Sequence, residues 1–173
     1  MWDTRRSIGQ VLGREPRNIF SEDIVVPIAR IPEMVRRVRR LSEASGFQII
    51  VAGHAGDGNL HPIILVDGGD RSRVGAVAAQ IFRDAVELGG GISAEHGLGV
   101  LKRDFAELEH GPEALDVMRR LKRELDPQNL LNPEKVFPQA PGDDEFLNRL
   151  SGWLEPAATP VAGAGPLRDG PER

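Results

Sequence analysis

Two apolar segments, FQIIVAGHA at 47–55 and NLHPIILVD at 59–67, flank a Gly-Asp-Gly-Asn turn. Runs rich in Ile, Val and Leu favour extended, pleated backbone. Glycine, aspartate and asparagine supply the reversal between them, so the spacing predicts a β-hairpin. A hairpin commits the chain to an antiparallel sheet, and the other segments have to be fitted against it. Before it, EDIVVPIARIP (22–32) carries a short β-branched run closed by prolines, which predicts a strand near residues 24–28. Then PEMVRRVRRLSEASG places Pro32 at a helix start and Gly46 at its end. Met34, Val35, Val38 and Leu41 recur at helical spacing and give that helix one apolar face. Arg36, Arg37, Arg39 and Arg40 fall on its other faces, the pattern of a solvated surface.

After the hairpin, DRSRVGAVAAQIFRDAVELGGG carries a helical stripe of Val74, Val77, Ala78, Ile81, Phe82, Ala85 and Val86, stopped by Gly89, Gly90 and Gly91. ISAEHGLGVLKRDF reads as an extended or looped segment entering a helix turn. GPEALDVMRRLKRELDP is a further helix with Pro112 at its start and Asp126-Pro127 beyond its end. LLNPEKVFP reads as an irregular closing loop. DDEFLNRLSGWLEP (143–156) has Phe146, Leu147, Leu150, Trp153 and Leu154 spaced for a short amphipathic helix, and the Pro/Gly/Ala-rich remainder is expected to be disordered. The order strand, helix, hairpin, helix predicts an α+β fold: a ferredoxin-like antiparallel sheet with helices packed on one face, plus a C-terminal helical segment. The expected division is a domain over 1–138, an appended helix over 139–156 and a tail over 157–173.

Composition narrows the chemistry. At 173 residues and 40% hydrophobic the chain is long enough for one domain with a real core. A net charge of −4 with interleaved acids and bases argues against nucleic-acid binding as the main activity. The chain has no cysteine, which removes disulfides, thiolate metal sites and cysteine nucleophiles together. A metal would have to sit on His, Asp or Glu, and redox chemistry would need a bound cofactor. The charged start MWDTRRSIGQ does not read as a signal peptide, and no apolar run approaches a membrane span, so a soluble, cytoplasmic protein is expected.

Four histidines are present, and two of them, His54 and His61, bracket the hairpin turn. Side chains alternate between faces along a strand, so a short turn can present both imidazoles on one side. Such a pair suits two nitrogen ligands on one divalent cation, with a carboxylate as third ligand. The plainer alternative is a pair of histidines hydrogen-bonded within a loop. GGGISAEHGLG (89–99) then sets Glu95 beside His96 in a glycine-rich loop. A carboxylate and an imidazole there could divide the work of metal ligand and base; an ordinary surface loop would look the same. Arg5 and Arg6 could pair a substrate carboxylate, or be no more than an exposed basic terminus. His110 reads as a helix-entry residue without a role.

Taken in order and spacing, GHAGDGNLH, GGGISAEHGLGVLK and LLNPEKVF resemble the C-terminal half of the FAD-linked oxidases, a group that includes the FAD subunit of glycolate oxidase, D-lactate dehydrogenases and D-2-hydroxyglutarate dehydrogenases. MWDTRRSIG and EDIVVPIARIPEMV resemble the segment preceding those motifs, so the likeness covers about residues 1–138. It implies that His54, His61 and Glu95 ligate a divalent metal, zinc-like in kind, and that His96 is the general base. It also implies that Arg5 binds the substrate carboxylate, that Asn59 lies near the substrate, and that Asn132 and Lys135 lie in a closing loop near the flavin. On this reading a D-2-hydroxy acid gives hydride to FAD.

The chain departs from the family's pattern in three places. The flavin-binding domain that precedes this region in the family is expected to be missing, so FAD would be supplied by a partner domain or subunit, and the exposed docking face could drive self-association. Glu134 stands where the closing loop usually has glycine. Gly9 and Ser21 or Glu22 stand where relatives acting on dicarboxylates carry a threonine and a lysine, which favours a short substrate such as glycolate or lactate. The competing expectation is a truncated, non-catalytic metal-binding or interaction module, with a zinc hydrolase behind it.

Overall fold

The computed structural model describes Ser7 and residues 13–67 and 71–137. Arg5, the expected helix over 143–156 and the tail from 157 lie outside the described residues. In chain order the elements are β1 (Asn18–Ser21), β2 (Ile24–Val25), a 3-10 turn (Ile28–Arg30), α1 (Ile31–Ser45), β3 (Gln48–His54), β4 (Asn59–Val66), α2 (Arg71–Glu87), a second 3-10 turn (Arg103–Phe105) and α3 (Ala106–Leu125).

The hairpin is present as expected and organises the sheet. β3 pairs with β4 from Gln48 opposite Leu65 to His54 opposite Asn59. Along the other edge of β4, β1 and β2 pair in succession, both antiparallel. Their register carries straight across the break between them, setting Glu22 opposite Pro62 and Asp23 opposite His61. The break has a local cause. Pro62 accepts a hydrogen bond from the Glu22 N–H (3.1 Å) but has no N–H to return. The strand expected near 24–28 is therefore corrected at both ends. It stops at Val25, because the Val26 N–H bonds the Gly58 carbonyl (3.1 Å) and Pro27 opens the 3-10 turn. Upstream it is extended by β1, too short a segment to show a period of its own.

α1 runs to Ser45 and ends on Gly46 in the left-handed conformation (φ 78°), as the sequence indicated. Met34 and Val38 from α1, and Val74, Val77, Ala78, Ile81, Phe82 and Ala85 from α2, are buried in one cluster with Phe20, Ile24, Leu60, Ile64 and Val66 of the sheet. Full burial of each large side chain is worth roughly 1.5–3 kcal/mol. Strand alternation puts Ile24, Leu60 and Ile64 on one face, so both helices cover that face and leave the other for Asn59, His61 and Ile63. Two details differ from the helical-stripe reading. Val35 is exposed. Arg37 is not simply solvated: it ties α1 to α2 by hydrogen bonds to Asp84 (3.1 Å) and Glu87 (2.8 Å).

The class is α+β, as expected. The complete ferredoxin-like plan needs one more full strand. Among the described residues the outer edge beside β2 carries only an isolated bridge, Val25 with Gly91. α3 includes a break at Gly111 (φ 72°, ψ 165°) just before Pro112, so the expected helix from Pro112 is preceded by a short helical run from Ala106. Among the described residues no helix is long and apolar enough to cross a membrane.

Candidate functional site

The hairpin builds one half of the site. His54 opposes Asn59 and Ala52 opposes His61, so His54, Asn59 and His61 share the sheet face turned away from the helices. The turn is pinned by the Asp57 N–H on the His54 carbonyl (3.2 Å) and by the Asn59 N–H on the Asp57 carboxylate (3.1 Å). The two imidazoles meet edge to face, with ring centroids 5.5 Å apart.

The loop after α2 builds the other half. Reciprocal hydrogen bonds between Val25 and Gly91 (3.1 and 2.9 Å) anchor its start to the sheet edge. It then folds over Asp23, which shares the histidine face through its position opposite His61. The buried Asp23 carboxylate accepts from the Ser93 hydroxyl (3.2 Å) and from three successive backbone N–H groups, those of Ala94 (2.6 Å), Glu95 (2.7 Å) and His96 (3.2 Å). The buried Lys102 ammonium donates to the same carboxylate and to the Asp23 carbonyl (2.7 Å), and lies 3.0 Å from Glu22. Burial opposes the charge on Asp23, but the hydrogen bond from Lys102 and those from the Glu95 and His96 N–H groups outweigh it and hold this carboxyl far below the ordinary range. For Glu22 burial wins over the attraction of Lys102, and its carboxyl is pushed up. Neither Asp23 nor Lys102 was among the residues singled out from sequence. The available signal was an acidic pair heading a β-branched run, with a lysine just past the glycine loop.

The two halves converge on Glu95. Its Oε1 atom lies 3.2 Å from His61 Nε2 and 3.6 Å from His54 Nε2, and accepts from Asn59 Nδ2 at 3.0 Å. One donor atom from each of His54, His61 and Glu95 falls within 4.8 Å of the others. Ligands held at about 2.1 Å around a tetrahedral ion stand about 3.4 Å apart, so this donor set fits a zinc-like cation with small adjustments. The Oδ1 atom of Asn59 is buried and has no hydrogen-bond partner among the described residues, so it remains available to a polar group bound at the site. His96 stacks on His61 (5.4 Å, 28°), with Nδ1 3.4 Å from Asp23 and Nε2 3.9 Å from Glu95.

An open cleft lined by Val25, His54, Asp57, Asn59 and Glu95 gives access to these groups. Beside it a second groove is walled by His96, Leu98, Val100, Leu101 and Lys135. The closing loop reaches that groove because the Val136 N–H bonds the Gly99 carbonyl (2.7 Å). Lys135 and His96 therefore line the same groove. Asn132 is exposed in the same loop with a left-handed backbone (φ 48°), and among the described contacts it reaches none of the histidines.

The sequence matches the family described as FAD linked oxidases, C-terminal domain, over residues 1–136. It is 39% identical over 138 residues to the glycolate oxidase subunit GlcD of Bacillus subtilis, covering 78% of this chain and 29% of that protein. It is 44% identical over 115 residues to a D-lactate dehydrogenase of Archaeoglobus fulgidus (66% of this chain, 26% of that protein). With the mitochondrial D-2-hydroxyglutarate dehydrogenase of Bos taurus the identity is 35% over 138 residues (80% and 25%). The chain thus spans less than a third of the length of these relatives.

Proposed function

Because the chain belongs to the FAD-linked oxidases, as their C-terminal domain, we propose that it is the substrate- and metal-binding part of a flavin-dependent D-2-hydroxy-acid oxidoreductase, completed by an FAD-binding domain or subunit. The observation that carries this reading is the convergence of His54, His61 and Glu95 at one point with His96 alongside. The relatives' names share one substrate feature, a hydroxyl on the carbon next to a carboxylate. A divalent ion at the three ligands would supply Lewis acidity to that hydroxyl, and FAD would accept the hydride from C2.

The chain's own residues have the remaining tasks. His54, His61 and Glu95 would hold the ion, zinc in the first instance, and leave a position open towards the cleft. His96 would take the hydroxyl proton at Nε2, the ring nitrogen turned towards Glu95. Asn59, fixed against Glu95, would orient the substrate, and Arg5 would pair its carboxylate. The groove beside His96 offers apolar walls from Leu98, Val100 and Leu101 and two cations, Lys135 and the Lys102 already paired with Asp23 and Glu22, a lining that suits the edge of a flat heteroaromatic ring. Asn132 and Lys135 would thus face the flavin. Glu22 is buried against Lys102 and offers no positive charge to a second carboxylate, which supports a short acid such as glycolate or lactate.

The test is calorimetric titration of the zinc-loaded chain with glycolate, D-lactate and D-2-hydroxyglutarate. The first two are expected to bind, and to stop binding after chelation or in His61→Ala. A chain that takes up neither zinc nor manganese, or binds these acids equally well without metal, would overturn the proposal.

A further inference from the structure

The histidine half of the site is held by the ladder of the hairpin, but the Glu95–His96 half has no comparable support. From Ser93 to Gly97 no side chain joins the apolar core, and Ala94, Glu95, His96 and Gly97 are exposed. Ile92 before this stretch is buried and Leu98 after it is packed against the core, so apolar anchoring stops on either side of the two functional residues. A loop without buried apolar contacts sits at the low-stability end of a fold unless polar contacts hold it. Beyond the Asn59 amide on the Glu95 side chain (3.0 Å), the backbone contacts end on one group, the Asp23 carboxylate, which gathers the N–H groups of Ala94, Glu95 and His96.

Asp23 can do this only as a buried anion, and a buried anion needs a compensating charge. Lys102 supplies it from the far end of the loop, bonding both the carboxylate and the carbonyl of Asp23. The adjacent Glu22 reaches the same ammonium at 3.0 Å, so both acids meet one cation. We propose that Asp23 and Lys102 form a buried clamp that positions Glu95 and His96 over the histidine face of the sheet. Both are positioning residues and neither is a ligand: Asp23 holds the loop through three backbone N–H groups and lies 3.4 Å from His96 Nδ1, and Lys102 acts through Asp23. For the metal the inference rests on the ligand set proposed above; for the loop it stands independently.

Amide hydrogen exchange by NMR and zinc titration on the full chain test it together. In the wild type the amides of Ala94, Glu95 and His96 are expected to exchange at least about 100-fold more slowly than in an unstructured peptide. Asp23→Asn and Lys102→Met should return them towards the unstructured rate while the α1 and α2 amides stay protected. Each should weaken zinc affinity about 10- to 100-fold, the range for losing an outer-shell partner. His61→Ala should lose zinc while keeping the loop amides protected. A folded Asp23→Asn chain with protected loop amides and zinc affinity within about twofold of wild type overturns the clamp. So do unprotected loop amides in the wild type itself, a result that does not depend on any variant folding. If the wild type takes up no zinc, the ligand assignment fails, and the amide rates alone decide for or against the clamp.

Discussion

His61 Nε2 and Glu95 Oε1 lie 3.2 Å apart, joining the start of β4 to the loop that follows α2. His54 approaches the same oxygen at 3.6 Å, so a single carboxylate oxygen serves two imidazoles, an arrangement that a shared cation stabilises. Zinc should therefore raise the thermal midpoint. At free zinc about 100 times the dissociation constant the gain is about 2.7 kcal/mol by mass action. Chelation should reverse it, and His61→Ala should abolish it. A His61→Ala chain whose midpoint still climbs with zinc by the wild-type amount would place the ion elsewhere.

The turn between the two histidines has a sharp local requirement. A Cβ on Gly58 would sit 2.0 Å from the Val26 carbonyl oxygen, and Gly58 has a left-handed φ of 82°. Alanine there must push β2 away from the hairpin as well as strain the backbone, so Gly58→Ala should cost more than about 2 kcal/mol. At Gly56 a Cβ would meet nothing within 4 Å. Gly56→Ala should stay within about 1 kcal/mol of wild type. Urea denaturation of the pair checks this, and equal losses would show that the close approach at Val26 is not what selects glycine.

The parts of this fold that were legible in the sequence are those written in local periods. Residues 48–66 are two Ile-, Val- and Leu-rich runs around a glycine-rich turn, and Met34, Val38 and Leu41 repeat at helical spacing, so hairpin and helix could be placed within a residue or two. The candidate ligands His54, His61 and Glu95 were legible from motif likeness, but their meeting depends on how the chain closes. The Asp23–Lys102 pair spans 79 positions, and no local pattern signals a partner at that separation. Arg37 was read as solvated for the same reason, because Asp84 and Glu87 arrive from another helix. β1 was missed because Asn18–Ser21 is too short to show alternation.

The stability of the chain should carry a pH signature from Glu22. Burial raises its carboxyl above the ordinary value of 4.5, and one of its oxygens is buried with no hydrogen-bond partner among the described residues. Between the ordinary and the raised value the folded chain keeps a proton that the unfolded chain has lost, so stability falls as pH rises through that window. Glu22→Gln has no such proton. Its stability relative to wild type should therefore increase as pH goes from about 4.5 to 8. Asp23 acts in the opposite sense, its contribution being complete above its ordinary value of 3.8 and lost only on acidification below it. Denaturation midpoints of both chains across this range decide the matter. A difference that stays flat would mean that Glu22 is charged in the folded state at no cost.

Glu134, where the resemblance to the family's closing loop implies glycine, keeps a glycine-like backbone conformation, with φ at 65°. Its carbonyl accepts from Arg103 (2.8 Å), and the following turn is tied to Gly99 through Val136. These contacts hold a side-chain-bearing residue in the left-handed region, which costs roughly 1–2 kcal/mol. Glycine would relieve that cost but give back about 0.5–1 kcal/mol through the greater freedom of the unfolded chain. Glu134→Gly is thus expected to stabilise by about 0.5–1 kcal/mol. It should leave zinc affinity unchanged, because the side chain of Glu134 makes no contact with the ligands among the described residues. Thermal and urea midpoints read the first effect and zinc titration the second. A destabilised Glu134→Gly chain would mean that the carboxylate itself holds the loop, through its place beside Arg119, Arg123 and Lys135 in the pocket under α3.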